Sequence, residues 1–304
     1  MGQDEREGIP PADALRRQAG RAVGYLARPR SYAGLAREAA LTSVHLSAYP
    51  LGLLPGGRVW QQANRKDAAA AGSDLPADST SAAMPVVLVH GYVHNRSAFL
   101  VMAQALKRAG FAHVHGFNYN PLLADLHQIA AHLGAEVERI TRTTGASKVA
   151  LVGHSMGGMV ARHFVQLLDG HDAVHTVITI GAPHRGSYTA YLGFGPAAAQ
   201  LRPGSTYLHR LEASARPNAV RWISYYSDLD FLVVPAVHGK LVHPALAATN
   251  IRVNDTGHLS MLLSRKVLRG ITEHLASSSA GPGASSAATA LPSTEANAIP
   301  RGAT

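Results

Sequence analysis

The stretch Val149-Ala150-Leu151-Val152-Gly153-His154-Ser155-Met156-Gly157 decides the fold that this sequence predicts. Its first four residues form an apolar run typical of a strand, and a helical pattern follows the stretch. A serine at a sharp turn between strand and helix needs small residues two positions before and after it, because a Cβ atom would not fit there. Gly153 and Gly157 meet that need. The pattern predicts that the Ser155 hydroxyl stands clear of the sheet, with the backbone N–H of Met156 directed at the same point.

A histidine and a carboxylate later in the chain would complete this chemistry. A serine hydroxyl is a weak nucleophile, so it requires a base and a group that orients the base, in the order acid and then histidine. Asp228 and Asp230 lie in a polar turn after the strand-like residues 220–226. His258 follows the β-rich residues 249–254, so we expect it on a loop at the end of a strand. On this evidence either carboxylate could orient His258.

A second backbone donor for an anionic oxygen is expected in the loop after the first core strand. The apolar run Val86–Val89 predicts a strand buried on both faces, and Gly91 lets the backbone that follows turn close to the serine. The N–H of Tyr92 is therefore the predicted second donor, beside that of Met156. We expect His90 and His154 to pack beside these two donors.

An ordered set of segments resembles the bacterial triacylglycerol lipases and related esterases of the α/β-hydrolase superfamily. The segments are Val87–Tyr92, Val152–Gly158, Thr179–Ser187, Leu201–Ser205 and Gly257–Leu259. The resemblance implies a doubly wound, mostly parallel sheet flanked by helices. It also implies a catalytic triad of Ser155, Asp230 and His258, an oxyanion hole formed by the N–H groups of Tyr92 and Met156, and no cofactor.

The choice of acid depends on this resemblance. The apolar residues 231–234 resemble the stretch that follows the acid in the family, which favours Asp230, and Asp228 remains the alternative. The implied function is a serine hydrolase that cleaves carboxylic esters, with lipid acyl esters as the leading substrates. An acyltransferase or a thioesterase with the same triad is the alternative enzyme. A hydrolase-fold binding protein without activity is the alternative outside enzymes.

Residues 187–219 form the sizeable insertion between core strands near the predicted site. Apolar side chains recur along it, and these are Tyr188, Tyr191, Leu192, Phe194, Ala197, Ala198 and Leu201. The pattern is consistent with a small cap over Ser155 and equally with a packed loop helix. A cap would distinguish a lipase from a general esterase.

The composition is that of a globular protein with one α/β core. The 304 residues are 46% hydrophobic and 15% charged, which excludes a disordered chain. The formal net charge is +9, but the basic residues are scattered and no nucleic-acid-binding module is recognisable, so we do not expect nucleic-acid binding. Peripheral contact with an anionic membrane, or solubility alone, agrees better with this charge. The sequence gives no indication of the oligomeric state.

The chain divides into five predicted segments. They are a disordered N-terminus (1–12), a helical extension (13–64), a linker (65–84), an α/β-hydrolase catalytic domain (85–275) and a disordered low-complexity tail (276–304). Within the extension we expect helices at Ala12–Leu26 and Tyr32–Ser47, followed by an apolar turn at Ala48–Pro55.

Two further features bear on metals and on location. The 17 histidines are accompanied by no cysteine and show no metal-ligand spacing, so we expect no metal even where His113 and His115 alternate on one strand. No signal peptide is recognisable, and the run Leu41–Leu54 falls short of the ~20 apolar residues that span a bilayer. We therefore expect a cytoplasmic or peripherally membrane-associated protein.

Overall fold

A six-stranded parallel sheet forms the centre of the protein. The computed structural model describes residues 29–53 and 84–277. The strands are β1 (Val86–Val89), β2 (Val114–Phe117), β3 (Val149–His154), β4 (Val174–Ile180), β5 (Arg221–Ser227) and β6 (Thr249–Val253), in the spatial order β2-β1-β3-β4-β5-β6. The helices are α1 (Pro29–Leu53), α2 (Leu100–Arg108), α3 (Leu126–Thr144), α4 (Met156–Leu167), α5 (Gly195–Gln200), α6 (Thr206–Ala213) and α7 (Arg265–Ala276). The predicted doubly wound α/β class is confirmed.

Each face of the sheet has its own hydrophobic core, because successive side chains of a strand point to opposite faces. In β1, Val87 and Val89 pack with the apolar faces of α3 and α4. Val86 and Leu88 point to the other face and pack with α2 and α7. All four valine and leucine side chains of β1 are fully buried, as predicted for a strand covered on both faces.

Helix α3 shows how local sequence sets an element. Asp125 caps it by accepting from Gln128 N, and the Gln128 side chain accepts from Asp125 N in return. Gly145 ends the helix with φ 73°, a left-handed conformation that favours glycine. The spacing of apolar residues over 125–142 predicts a helix with one apolar face. This prediction is confirmed, since the residues that α3 buries include Leu126, Ile129, Ala130, Leu133, Val137 and Ile140.

Two helix predictions need correction. The predicted turn at Ala48–Pro55 is wrong up to Leu53, because α1 continues through Pro50 to that residue. Side chains of the core bind the last carbonyl groups of α1: Asn95 Nδ2 donates to Tyr49 O at 2.9 Å, and Asn118 Nδ2 donates to Gly52 O at 2.8 Å. These tertiary bonds satisfy helix-end acceptors and outweigh the local preference of proline.

The second correction concerns residues 259–275, whose amphipathic pattern predicts one continuous helix directly after His258. It is divided into a 3₁₀ turn at Ser260–Leu263 and α7, because Ser264 between them has the extended backbone of a helix N-cap, with ψ 119°.

Several predicted segments lie outside the described residues. They are the N-terminus 1–12, the helix Ala12–Leu26, the linker 65–84 except for its last residue, and the tail 276–304 beyond Ser277. Among the helices of residues 29–53 and 84–277, none combines the length and the apolar character that crossing a membrane requires.

Candidate active site

Ser155 lies at the turn between β3 and α4, with φ 55° and ψ −126°, a backbone conformation that residues other than glycine rarely adopt. The two neighbouring glycines make this turn possible. A Cβ atom on Gly153 would lie 2.5 Å from Gly158 N, and one on Gly157 would overlap Val89 O. The turn is therefore closed to larger residues on both sides of the serine, and it leaves Ser155 on the wall of a cavity.

The loop after β1 passes directly beside the serine. A Cβ atom on Gly91 would lie only 2.9 Å from Ser155 Cβ. Tyr92, the next residue, lines the same cavity as Ser155 and Met156, so the structure brings the two residues predicted to supply oxyanion donors to one cavity with the serine. The Tyr92 hydroxyl accepts from Phe194 N at 2.8 Å and donates to Phe194 O at 2.6 Å, which ties this loop to the insertion.

His258 and Asp230 form a buried pair at the same cavity. His258 Nδ1 lies 2.7 Å from Asp230 Oδ2, and both side chains are almost wholly buried. The other carboxylate oxygen, Oδ1, accepts from Leu232 N at 2.9 Å and from Val233 N at 2.8 Å. These bonds fix the carboxylate plane, so that Nδ1 of His258 carries a proton and Nε2 is the nitrogen left for other partners.

Asp228 lies elsewhere. Its Oδ2 pairs with Arg252 Nη2 at 2.6 Å on the far side of the turn. The structure thus places Asp230, and not Asp228, against His258.

The surroundings of His258 favour its charged form. Burial alone lowers the pKa of His258, but the charge and the hydrogen bond of Asp230, together with the charge of Glu38, outweigh that effect and raise the pKa above its ordinary value of 6.5. His154 approaches from β3, with its Nε2 3.2 Å from the His258 carbonyl oxygen and its ring centroid 4.6 Å from that of His258.

His90 supports the loop that carries Tyr92. Its ring stacks on Tyr119 at 4.0 Å between centroids, and the Tyr119 hydroxyl donates to the His90 carbonyl oxygen. Burial lowers the pKa of His90 to about 4, so the ring is neutral at neutral pH. His90 and His154 therefore lie beside the donors where the sequence predicts them.

A cavity of about 590 Å³ opens over the serine. Its lining includes Ser155, His258, Tyr92 and Met156 together with the mainly apolar residues Thr42, Val93, Ala190, Leu192, Ala198, Leu201, Phe231, Leu232 and Val233. From the predicted cap, Leu192, Ala198 and Leu201 line the cavity. Tyr191 instead lies under the Arg202 guanidinium, 5.1 Å from its ring centroid.

Sequence reasoning missed two parts of this site. Phe231–Val233 supported the choice of acid, but the same run was not predicted to line the cavity. Thr42 of α1 also lines the cavity, and Glu38 of the same helix accepts from Leu259 N at 2.6 Å, next to His258. The sequence carries no signal for these two residues, because only the tertiary fold brings α1 to the site.

No group of three or more histidine, aspartate or glutamate side chains able to hold a metal ion occurs within the described parts of the chain.

Similar proteins agree with this architecture. Residues 85–229 match the family described as palmitoyl protein thioesterase. A triacylglycerol lipase of Burkholderia plantarii is 33% identical over 127 residues, which is 39% of this chain and 35% of that protein. A triacylglycerol lipase of Vibrio cholerae is 34% identical over 122 residues, 37% of this chain and 36% of that protein. The chain thus matches about a third of the length of each lipase.

Among solved structures, the mature form of the Bacillus licheniformis lipase BlEst2 superposes with a TM-score of 0.57 at 21% identity, covering 67% of this chain and 95% of that one. This likeness concerns the fold. The sequence matches point to the same group, so the chain is similar to the lipases and esterases of the α/β-hydrolase superfamily and shares their fold.

Proposed function

We propose that the protein is a serine hydrolase that cleaves carboxylic esters through an acyl-enzyme. One observation supports this most directly: Ser155, in a strained turn, and His258, which pairs with the buried Asp230, line one cavity. A serine at such a turn, with a histidine whose Nδ1 is held by a carboxylate, is the arrangement that nucleophilic acyl transfer requires.

The proposed chemistry follows from the positions of these groups. Ser155 Oγ attacks the ester carbonyl carbon while His258 Nε2 takes the hydroxyl proton, and Asp230 stabilises the imidazolium that forms. The N–H groups of Tyr92 and Met156 donate to the anionic oxygen of the tetrahedral intermediate. His258 then gives its proton to the leaving alcohol, and a water activated by His258 hydrolyses the acyl-enzyme.

Lipid acyl esters are the proposed substrates. The cavity beside Ser155 is lined mainly by apolar side chains, so it favours a hydrocarbon chain over a polar acyl group. The relatives described as triacylglycerol lipases support the same substrate class.

A thioester substrate is the second candidate, because residues 85–229 match a family described as palmitoyl protein thioesterase. The same triad and oxyanion donors serve both reactions, since both proceed through attack on an acyl carbonyl. The two candidates differ in the leaving group, which an alcohol provides in one case and a thiol in the other.

We also propose that the protein contacts anionic membranes from one side. Exposed apolar side chains surround the mouth of the cavity, and these are Val93, Leu192, Phe231 and Leu232. The net charge of +9 adds attraction to an anionic surface. Such contact would present the cavity directly to lipid substrates.

Covalent labelling with a fluorophosphonate tests the nucleophile. We expect wild-type protein to be labelled at Ser155, and Ser155→Ala to lose labelling and ~10⁴-fold or more in turnover with its fold intact. Ser43→Ala, on the exposed side of α1, is the matched control and should behave like wild type. Ester hydrolysis by Ser155→Ala at a near-normal rate would overturn the proposal.

A substrate panel separates the two candidates. Oxygen esters and thioesters of matched acyl chains, from short to long, are compared by kcat/KM. A consistent preference for thioesters beyond their intrinsic reactivity would favour the thioesterase, and a preference for oxygen esters of long acyl chains would favour the lipase.

A further inference from the structure

Glu38 makes a dense set of hydrogen bonds to the residues that follow His258. Its Oε1 accepts from Leu259 N at 2.6 Å, and its Oε2 accepts from Ser260 N at 2.9 Å. The Ser260 hydroxyl donates to the same Oε2. The carboxylate of one α1 residue thus binds three donors at the start of the 3₁₀ turn Ser260–Leu263, where backbone N–H groups have no partner within the turn.

The loop before His258 is fitted to the same carboxylate. A Cβ atom on Gly257 would overlap Glu38 Oε2, so the backbone approaches the carboxylate as closely as a glycine allows. Arg37, the neighbour of Glu38, donates through Nη2 to Asp255 O at 2.6 Å. Helix α1 therefore holds the chain on both sides of His258, at residue 255 and at residues 259 and 260.

The other end of α1 is anchored to the segment that follows the Tyr92 loop. Asn95 donates to Tyr49 O, and its own Oδ1 accepts from Ser97 N at 2.9 Å. Between the two anchors, Thr42 lines the cavity over Ser155. Helix α1 thus connects the loop that carries His258 with the segment after the loop that carries Tyr92.

We infer that Glu38 is a positioning residue for His258. By binding the three donors that follow His258, Glu38 keeps the imidazole aligned with Ser155. The inference rests on the proposed function, because it assigns Glu38 a task only where His258 acts as the base. Glu38 itself contacts neither Ser155 nor the reacting atoms in this scheme.

The charge of Glu38 should affect the pH dependence of activity, which the docking of a helix alone would not. Three groups face His258: Asp230 from the turn after β5, His154 from the end of β3, and Glu38 from α1. The negative charge of Glu38 contributes to the raised pKa of His258. Removing that charge should lower the pKa, and the acid limb of the activity profile should move to lower pH.

The test substitutes Glu38→Gln in the full chain and measures kcat, KM and the pH profile with a short-chain, water-soluble ester. We expect kcat to fall about 10- to 100-fold, the loss typical of a charge-assisted hydrogen-bond set, with KM changed less than threefold or so. The acid limb should move to lower pH. Glu138→Gln, which makes the same chemical change on the exposed side of α3, should leave all three quantities unchanged.

Two results would overturn the inference. One is a Glu38→Gln variant with wild-type kcat and an unmoved acid limb. The other is a Glu38→Gln variant whose kcat falls but whose acid limb does not move, if Glu38→Asp, which retains the charge, does not recover part of the lost kcat. If Glu38→Gln fails to fold, Ser260→Ala replaces it: this variant removes one of three donors and should lower kcat severalfold, and an unchanged kcat would contradict the inference.

Failure of the inference is distinct from failure of the proposed function. If wild-type protein neither hydrolyses esters nor reacts with the fluorophosphonate, the proposed function fails. If wild-type protein does both and Glu38→Gln does so equally well, the proposed function stands and the role of Glu38 fails alone.

Discussion

Asp230 uses its two carboxylate oxygens for different partners. One oxygen accepts from His258, and the other is held by the backbone of Leu232 and Val233. The backbone bonds hold the carboxylate in one orientation, so that its second oxygen stays against His258 Nδ1. The same residue therefore shapes its own loop and orients the imidazole.

Substitution of the two aspartates should separate their roles. Asp230→Asn is expected to lower kcat about 10³- to 10⁴-fold, because an amide at this place favours the wrong imidazole tautomer. Asp228→Asn should cost far less, since Asp228 pairs with Arg252 away from the cavity. Steady-state kinetics of the two variants, with circular dichroism as a folding control, decide the matter. The reverse ranking would assign the acid to Asp228.

The pH dependence of kcat/KM should report the His258 environment. Only the neutral imidazole acts as a base, so activity should fall as the pH drops through the pKa of His258. Because Asp230 and Glu38 raise that pKa above 6.5, the midpoint of the acid limb should lie above 6.5. In Asp230→Asn the limb should move to lower pH. A wild-type midpoint below 6.5 would contradict this account.

At the residue scale, local pattern predicts the serine and the histidine, whereas the preference for Asp230 over Asp228 depends on the family resemblance. Asp228 and Asp230 stand two positions apart in one turn, and the difference between them lies in partners that only the fold supplies. The sequence around Glu38 does not predict its place at the site, because its partners lie more than two hundred residues further along the chain.

Among the structural elements, the insertion after β4 has the strongest bearing on substrate choice. It forms a 3₁₀ turn at Tyr188–Leu192 followed by α5 and α6. The paired bonds between Tyr92 and Phe194 attach it to the loop that carries Tyr92. Its place over the cavity agrees with a cap. Tyr191, predicted to belong to the apolar face of that cap, instead packs its ring against the Arg202 guanidinium.

Removing apolar surface at the cavity mouth should affect long acyl chains most. Leu192 and Leu232 both line the cavity and are exposed, one from the insertion and one from the turn after β5. Each acyl methylene buried there contributes ~0.8 kcal/mol, so replacing both leucines with serine should lower kcat/KM for a long-chain ester roughly tenfold more than for a short-chain ester.

The matched control for this comparison is Leu123→Ser, because Leu123 is about as exposed as Leu192 and does not line the cavity. It should leave the ratio of long-chain to short-chain kcat/KM unchanged. Equal losses on both esters in the double variant would mean that the cavity mouth does not distinguish chain length.

The elements of the core follow from sequence more directly than those at its edges. The strands β1 and β3 are continuous apolar runs, and α3 has both an apolar face and caps, so local pattern and tertiary packing agree. At the C-terminal end of α1, local pattern and tertiary contacts disagree. Pro50 indicates a helix end locally, whereas bonds from Asn95 and Asn118 hold the helix to Leu53.

For the whole molecule, surface charge and the apolar cavity mouth predict how it meets a membrane. We expect binding to vesicles that contain anionic lipid to exceed binding to neutral vesicles at low salt, since each basic residue near such a surface contributes about 1 kcal/mol. Added salt should reduce only the anionic component. Vesicle sedimentation measures this, and equal binding to both vesicle types at low salt would exclude an electrostatic contribution.

The bonds from Glu38 join residues that lie 221 and 222 positions apart along the chain. Closing so long a loop costs more entropy than closing a local one, so we expect these contacts to form late in folding. During synthesis, the parallel sheet from β1 to β5 can pair before the His258 loop has left the ribosome. We therefore expect the fold to form before activity appears. In a refolding experiment, we expect the burial of Trp222 in β5 to precede the return of ester hydrolysis.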